Sequence, residues 1–192
     1  MKKLILAVGM LVASGLALAQ SVTVNYGVQQ NTAGAQAQGH YVQLVVATPI
    51  VDHLTNDAGI NAFQLDVNKH EFDRLEDGLT YAYPINDTFT ASIRGALGYM
   101  ETSNNGNWGY YVIQPTITAN LTHGFDASLG YRWREAFVSS FNDDSTTIRY
   151  TFGYHITDKD YIRVSYDDLR GSNGGGYANP SNTYQIGYTR NF

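Results

Sequence analysis

Hydrophobic and polar residues alternate along nearly the whole chain. The segment 125–137 is the clearest case: Phe125 and Leu129 fall on one side of an extended chain, and Asp126 and Arg132 fall on the other. A period of two predicts a β-strand whose two faces meet different environments. Helical spacing explains the segment less well.

The same alternation recurs in ten segments. They lie near 21–30, 38–48, 59–69, 75–84, 87–101, 108–120, 124–136, 145–156, 160–169 and 182–192. Repeated alternation, without any later apolar run as long as a membrane helix, is typical of an all-β fold, the closed antiparallel transmembrane β-barrel. Ten strands are favoured; eight are the alternative, in which one N-terminal pair forms a plug or a loop. An even number places both ends of the mature chain in the periplasm.

Connections of two kinds support this topology. The tight turns, predicted to be periplasmic, lie at 84–87, 121–124 and 157–159, and the longer polar loops, predicted to be external, lie at 102–107, 138–144 and 170–181. Two N-terminal connections depart from the pattern, because 49–58 is long for a periplasmic turn and 71–74 is short for an external loop. Asn104, Asn142 and Asn173 are therefore expected outside the cell, and Asn86, His123 and Lys159 in the periplasm.

The N-terminus has the features of a secretory leader. Residues 1–19 are predicted to be a cleaved signal peptide and residues 20–192 the barrel domain, since Lys2 and Lys3 precede an apolar run that ends in Ala17-Leu18-Ala19. Cleavage would leave ten Lys and Arg residues against 17 acidic ones, a formal charge of −7. Nucleic-acid binding is not expected at that charge. The absence of cysteine excludes a disulfide framework and a thiolate metal site.

The C-terminal residues carry a resemblance to a known class. Phe192 is the last residue, and Tyr184, Ile186 and Tyr188 share its face of the final strand. This pattern resembles the C-terminal signature of bacterial outer-membrane proteins. The resemblance implies recognition by the barrel assembly machinery and a location in the bacterial outer membrane, among its lipid and lipopolysaccharide. The chain is similar to small opacity-type and OmpA-transmembrane-type barrels and to small porins, and no motif assigns a subfamily.

Charged residues on the less apolar face are predicted to line the lumen. They are Asp66, Glu76, Arg94, Asp126, Arg132, Arg134, Arg149, His155, Arg163 and Asp167. Three of the arginines would form a basic wall opposite Asp66 and Glu76. Because buried charges need a partner or water, these groups either pair across the lumen as a plug or flank a narrow water path. Interior glycines are expected to leave room; they are Gly27, Gly78, Gly98, Gly130, Gly153 and Gly187.

Aromatic residues near the strand ends are expected to form girdles at the two membrane interfaces. They are Tyr83, Phe89, Tyr99, Trp108, Trp133, Tyr154 and Phe192. A soluble β-sandwich with a tyrosine-rich core is the alternative, but it requires neither alternation on every strand nor a terminal phenylalanine.

No catalytic, metal or cofactor site is predicted. His40, His70, Glu71, Asp73 and Asp77 could meet at the external rim, where their types resemble those of outer-membrane proteases, but each is explained as a solvated loop residue. The five histidines show no metal-ligand spacing. The expected function is porin-like passive passage of ions or very small solutes. The alternative is a non-conducting structural or adhesive barrel whose external loops bind partners, and no feature of the sequence indicates an oligomeric state.

Overall fold

Ten strands make up nearly all of the structure, a computed structural model that describes residues 20–31, 38–65, 71–102, 106–138, 144–171 and 180–192. The strands are β1 (Ser21–Asn31), β2 (Gln38–Val51), β3 (Leu54–Leu65), β4 (Glu71–Pro84), β5 (Phe89–Thr102), β6 (Gly106–Asn120), β7 (Phe125–Ala136), β8 (Ser145–His155), β9 (Asp160–Gly171) and β10 (Ser181–Asn191). One 3-10 turn, Thr122–Gly124, lies between β6 and β7. Across the described ranges, no helix has the length and apolar character needed to span a membrane.

The strands form one closed barrel. Each strand pairs antiparallel with its neighbours in the chain, and β1 pairs with β10, where Ser21 lies opposite Asn191. The prediction of a ten-stranded closed barrel is confirmed, and the eight-stranded alternative is wrong. Closure gives every strand two partners, so that no row of backbone N–H and C=O groups is left at an open edge.

The connection between β2 and β3 differs from the prediction of a long segment at 49–58. β2 continues to Val51, β3 begins at Leu54, and only two residues join them, with His53 in the left-handed region at φ 68°. A register shift between Pro49 and Val51 accommodates the proline, which has no N–H for the ladder. All four turns at this end of the barrel are therefore short.

The predicted start of β4 is also wrong, because β4 already begins at Glu71 and no turn lies at 71–74. The error at 49–58 has a physical cause. Asn56 and Asp57 look like loop residues in the sequence, but inside β3 each has a partner on a nearby strand: Asn56 donates to Asp77, and Asp57 accepts from Arg94. Paired polar groups are compatible with a strand where unpaired ones are not.

The two faces of the barrel follow the predicted alternation on most strands. Large apolar side chains point outward and are exposed, among them Val24, Val42, Leu79, Ile93, Ile117, Leu129, Phe152, Val164 and Ile186. β3 departs from the pattern, because the alternation of Phe63, Leu65 and Val67 in the sequence predicts an outward face for Phe63. Phe63 instead lies opposite the buried Tyr41 and over Gly39, where an added Cβ would be 2.4 Å from the ring. Val67 and the side chain of Leu65 are outside the described residues.

Candidate functional site

The interior of the barrel contains the predicted charged residues as far as the structure describes them. The strand registers place Glu76, Arg94, Asp126, Arg132, Arg134, Arg149, His155, Arg163 and Asp167 on the inward face. Asp66 lies outside the described residues. Because the barrel has a single lumen, these side chains share one confined space, and their pairing decides how much of it is open.

The largest charged group among the described lumen residues is centred on Glu76 and joins five neighbouring strands, β3 to β7. Arg94 on β5 places its Nη1 2.5 Å from Oε1 of Glu76, and Arg132 on β7 places its Nη2 2.5 Å from Oε2. Tyr110 on β6 donates its hydroxyl to the same Oε2 at 3.0 Å. Arg94 also donates its Nε to both carboxylate oxygens of Asp57 on β3, at 2.8 and 2.9 Å. We call these five residues the central cluster.

The central cluster reaches across the lumen rather than along its wall. Glu76 and Arg132 belong to β4 and β7, which are separated by two strands in the barrel. Two arginines and two carboxylates make the cluster electrically neutral. Charge-assisted hydrogen bonds of this kind are short and strong, and each partner removes part of the cost of taking the other out of water.

Glycines make this reach possible. An added Cβ at Gly78 would lie 2.7 Å from Nη2 of Arg94, so the guanidinium occupies the space next to Gly78 on its way to Asp57. An added Cβ at Gly98 would lie 2.0 Å from the ring of Tyr110. The expectation that interior glycines leave open room is therefore wrong at these positions, because neighbouring side chains lie flat over them. Side chains cover the other interior glycines in the same way; Gly27 lies under Tyr41, Gly130 under Thr116, Gly153 under Tyr161, and Gly187 under Asn25 and Arg163.

An apolar group of side chains fills the lumen next to the central cluster. It consists of Ala96, Met100, Trp108, Tyr110, Val112 and Ala136, all buried. Trp108 is only 3 % exposed, so its predicted place in an interface girdle is wrong. It falls on the inward face of β6 because it lies two residues from the inward Tyr110. The other predicted girdle residues face outward and are exposed: Tyr83, Phe89, Tyr99, Trp133, Tyr154 and Phe192.

A second charged group lies on the opposite wall, on β8 to β10. Arg149 donates its Nε and Nη2 to the two carboxylate oxygens of Asp167, at 2.7 and 2.6 Å, in a bidentate pair. Gln185 donates to the same carboxylate at 2.7 Å. The buried carboxylate of Asp167 therefore accepts from three donor atoms. These bonds join β8, β9 and β10, and the charges of Arg149 and Asp167 cancel.

Two smaller polar groups lie nearer the end with the short turns. Tyr161 donates its hydroxyl to Asp126 at 3.0 Å, and Nε2 of His155 lies 4.0 Å from the other oxygen of Asp126. Arg163 donates to Oδ1 of Asn25 at 3.1 Å, and Asn25 in turn donates to Gln43 at 2.9 Å. Arg163 makes no ion pair within the described part of the chain, so its positive charge has only neutral partners.

Arg134 lies at the other end of the lumen, above the central cluster. Its guanidinium carbon is 5.5 Å from the centre of the Tyr110 ring, and the side chain is buried. An arginine at this distance from a tyrosine face gains a cation–π attraction. Tyr110 therefore contacts a cation through its ring and an anion through its hydroxyl.

Several lumen residues were not predicted from the sequence. Asp57, Arg74, Tyr41 and Tyr110 face inward and contribute charge or bulk. Asp57 was missed because the predicted strand began at residue 59. If the alternation of β3 is continued back from Gly59, Asp57 falls on the inward face. Tyr41 lies on the inward face of β2, on the same parity as Gln43.

The described residues considered for a protease-like site at the external rim lie on the outward face of the barrel. His40 and Asp77 face outward, and the hydroxyl of Tyr26 lies 2.7 Å from Nδ1 of His40. Asp73 is outward as well, His70 lies outside the described residues, and so does the side chain of Glu71. Within the described ranges, no group of three His, Asp or Glu side chains is arranged to hold a metal ion.

The C-terminal residues close the barrel. Tyr184, Ile186 and Tyr188 point outward from β10 and are exposed, and the backbone N–H of Phe192 donates to the carbonyl of Gln20 at 2.9 Å. Arg190, which interrupts the apolar pattern, pairs with Asp160 at 2.7 Å. An ion pair at the strand end keeps the guanidinium out of the apolar band.

Comparisons with known proteins agree on the architecture. No protein-family model matches the chain, and the search of curated proteins gave no match. An outer membrane channel from Pseudomonas putida F1 has a TM-score of 0.54 at 10% identity, over 91% of this chain and 96% of that one. The NanC porin has a TM-score of 0.53 at 13% identity, over 89% and 100%, and the KdgM porin 0.51 at 12%, over 88% and 99%. At these identities the likeness concerns the fold, and the chain thus has the barrel fold of small outer-membrane porins.

Proposed function

We propose that this chain is a bacterial outer-membrane protein that allows passive, porin-like passage of ions or very small solutes. The observation that carries the proposal is the contrast between the two faces of one closed sheet. An exposed apolar surface surrounds an interior with charged side chains at several levels. A soluble protein would place these faces the other way round.

We further propose that the lumen favours anions. The described strands direct six arginines inward, Arg74, Arg94, Arg132, Arg134, Arg149 and Arg163, against four carboxylates, Asp57, Glu76, Asp126 and Asp167. The mature chain is expected to be acidic overall, so the positive excess at the described inward positions contrasts with the charge of the whole chain. Arg163 supports the proposal most directly, because Asn25 leaves its charge uncompensated. A fixed uncompensated charge in a narrow pore attracts ions of the opposite sign.

The non-conducting barrel is the second candidate. The contact of Glu76 with Arg132 across the lumen and the buried group around Trp108 favour it, because both fill space that a solute would need. The side of the lumen formed by β4 to β7 is packed, as the non-conducting candidate requires. Passage of a solute therefore depends on the side formed by β8, β9, β10, β1 and β2.

The partners of the barrel are proposed from its surface. The apolar outward face fits lipid and the fatty chains of lipopolysaccharide. The outward row of Tyr184, Ile186 and Tyr188 with Phe192 supports recognition by the barrel assembly machinery, as the sequence resemblance implies.

A conductance measurement in planar lipid bilayers tests the function. The wild-type protein should give small ohmic steps, and the reversal potential in a KCl gradient should indicate a preference for chloride. Arg163→Gln should reduce that preference, because it removes the uncompensated charge. Arg190→Gln is the matched control, since this arginine lies on the outer surface beside Asp160 and its loss should leave the reversal potential unchanged. Silent bilayers with correctly folded protein would exclude passage and leave the non-conducting barrel.

A further inference from the structure

A tyrosine hydroxyl on the inner wall of the barrel is buried without a hydrogen bond. Tyr41 on β2 is 7 % exposed, and its ring lies over Gly27 on β1, where an added Cβ would be 2.7 Å from the hydroxyl oxygen. The side chain therefore extends from β2 across β1. Among the described residues this hydroxyl makes no hydrogen bond. Because buried polar groups almost always have a partner, the hydroxyl of Tyr41 points to a ligand or a water molecule in the lumen.

Arg163 on β9 approaches β1 from the other side. Its Nε lies 3.1 Å from the place of an added Cβ at Gly187 on β10, and its Nη2 donates to Oδ1 of Asn25 on β1 at 3.1 Å. Asn25 and Gly27 are successive inward residues of β1, about 7 Å apart along the strand. The guanidinium of Arg163 and the hydroxyl of Tyr41 thus lie over neighbouring levels of one strand, within electrostatic range of each other. A single acceptor between the two levels can be reached by both donors.

The wall formed by β8, β9, β10, β1 and β2 carries one positive charge in excess at its described inward positions. Arg149 and Arg163 stand against Asp167, with His155 counted as neutral. Asp167 already accepts from Arg149 and Gln185, and it makes no ion pair with Arg163. A charge in a confined interior needs a partner, and one monovalent anion would make this wall neutral, as the central cluster is by itself.

We propose that the space between Arg163 and Tyr41 binds one chloride ion. The guanidinium supplies the positive charge and the N–H donors that Asn25 leaves unused, and the hydroxyl of Tyr41 supplies a neutral donor from the opposite side. Tyr41, Asn25 and Gln185 are all buried, and this close packing favours a monatomic anion over an organic acid, whose carbon chain would need further space. The inference rests on the proposed porin-like function, and it names the place in the lumen where a passing anion is held.

Thermal unfolding in detergent micelles, followed by tryptophan fluorescence, tests the site without any conduction. An anion that binds only the folded barrel stabilises it by mass action. Sodium chloride in place of sodium gluconate, at constant ionic strength, should therefore raise the unfolding temperature. Tyr41→Phe keeps the ring over Gly27 and removes only the hydroxyl. The chloride concentration that gives half of the stabilisation should then rise about tenfold, the effect of one hydrogen bond to an ion.

Tyr161→Phe is the matched control. The ring of Tyr161 covers Gly153 just as that of Tyr41 covers Gly27, but its hydroxyl already donates to Asp126. This variant should unfold at a lower temperature in both salts and keep the chloride dependence of the wild type. Arg163→Gln should lose that dependence, because the charge that attracts the ion is gone.

Bromide, an anomalous scatterer, locates the ion in crystals of the wild-type protein. We expect an anomalous peak between the guanidinium of Arg163 and the hydroxyl of Tyr41. A peak at surface positions only, or an unchanged chloride dependence in both Tyr41→Phe and Arg163→Gln, would overturn the proposal and leave water as the partner of Tyr41. Bilayer recordings of the same protein separate this site from the proposed function, because stabilisation by chloride together with silent bilayers would keep the site and exclude passage.

Discussion

Arg132 contacts Glu76 across the interior of the barrel, with two strands between their own, at an Nη2–Oε2 distance of 2.5 Å. Glu76 is also hydrogen-bonded to Arg94 and Tyr110, so a single carboxylate connects β4 with β5, β6 and β7. The barrel is thus braced from inside as well as closed by its backbone ladder.

Removing the carboxylate should weaken this brace. We expect Glu76→Gln to cost about 3–5 kcal/mol, as for other buried pairs that lose one partner, because it leaves two arginines facing each other without their shared anion. The measurement is the temperature at which the folded band is lost in a heat-modifiability gel. Asp168→Asn is the control, since its pair with the exposed Arg170 is on the outer surface, where solvent screens it, and its loss should leave the temperature almost unchanged. Equal shifts for the two variants would mean that the central cluster does not support the barrel.

Gly78 and Gly95 form a matched pair for testing side-chain space. Gly78→Ala places a Cβ 2.7 Å from the Arg94 guanidinium and 2.9 Å from the Cβ of Ala96, so we expect a loss of about 1–3 kcal/mol from overpacking. Gly95→Ala adds the same methyl group on the outward face, where no atom lies within 4 Å, and should be neutral or slightly stabilising. Equilibrium unfolding in urea from lipid vesicles compares them. A harmless Gly78→Ala would show that Arg94 can move away without cost.

Substitution by arginine should distinguish the lipid face from the lumen. Leu129→Arg and Ile117→Arg each place a charge on the exposed apolar surface and should cost about 2–4 kcal/mol near the midplane. Ser128→Arg, one position from Leu129, points inward between Thr118 and Thr151 and should cost less. Folding yield into vesicles and urea unfolding give the comparison, and similar losses at positions 128 and 129 would contradict the assigned faces.

The orientation of the barrel can be tested from its two ends. Lys159 lies in one of the short turns, which we place in the periplasm, and Asn104 belongs to the β5–β6 connection at the opposite end, outside the described residues. A membrane-impermeant thiol reagent should label Asn104→Cys in intact cells, and should label Lys159→Cys only after permeabilisation. Labelling of position 159 in intact cells would reverse the topology.

The sequence was sufficient for the strand number and for most of the facing, because both depend on a period that each strand repeats for itself. It failed where a residue's role depends on another strand. Asn56 and Asp57 look like loop residues in the sequence. Only the structure shows that Asp77 and Arg94 on nearby strands are their hydrogen-bond partners. Trp108 suggested a girdle because a tryptophan near a strand end is common there, yet its parity with Tyr110 already placed it inside.

The central cluster could be predicted only in part. Glu76, Arg94 and Arg132 are on the inward face by parity alone, but which of them meet depends on strand order, stagger and side-chain reach. The covering of Gly98 by Tyr110 shows the same limit. A small residue in the sequence indicates that space exists, and only the neighbouring strands determine what occupies it.

The pairing of β1 with β10 makes the first and last strands of the barrel neighbours, and Thr23 and Thr189, 166 positions apart, share a hydrogen bond of 2.7 Å. Contacts between such distant positions cost a large loop-closure entropy. No interaction offsets this cost until β10 pairs with β1. Assembly therefore depends on β10. A chain truncated before Ser181 would keep nine strands and expose two unsatisfied edges, so loss of the final eleven-residue strand should prevent the fold rather than shorten it. The same proximity means that Gln20 and Phe192 could be joined and new ends opened at a distant loop, giving a permuted barrel with an unchanged wall.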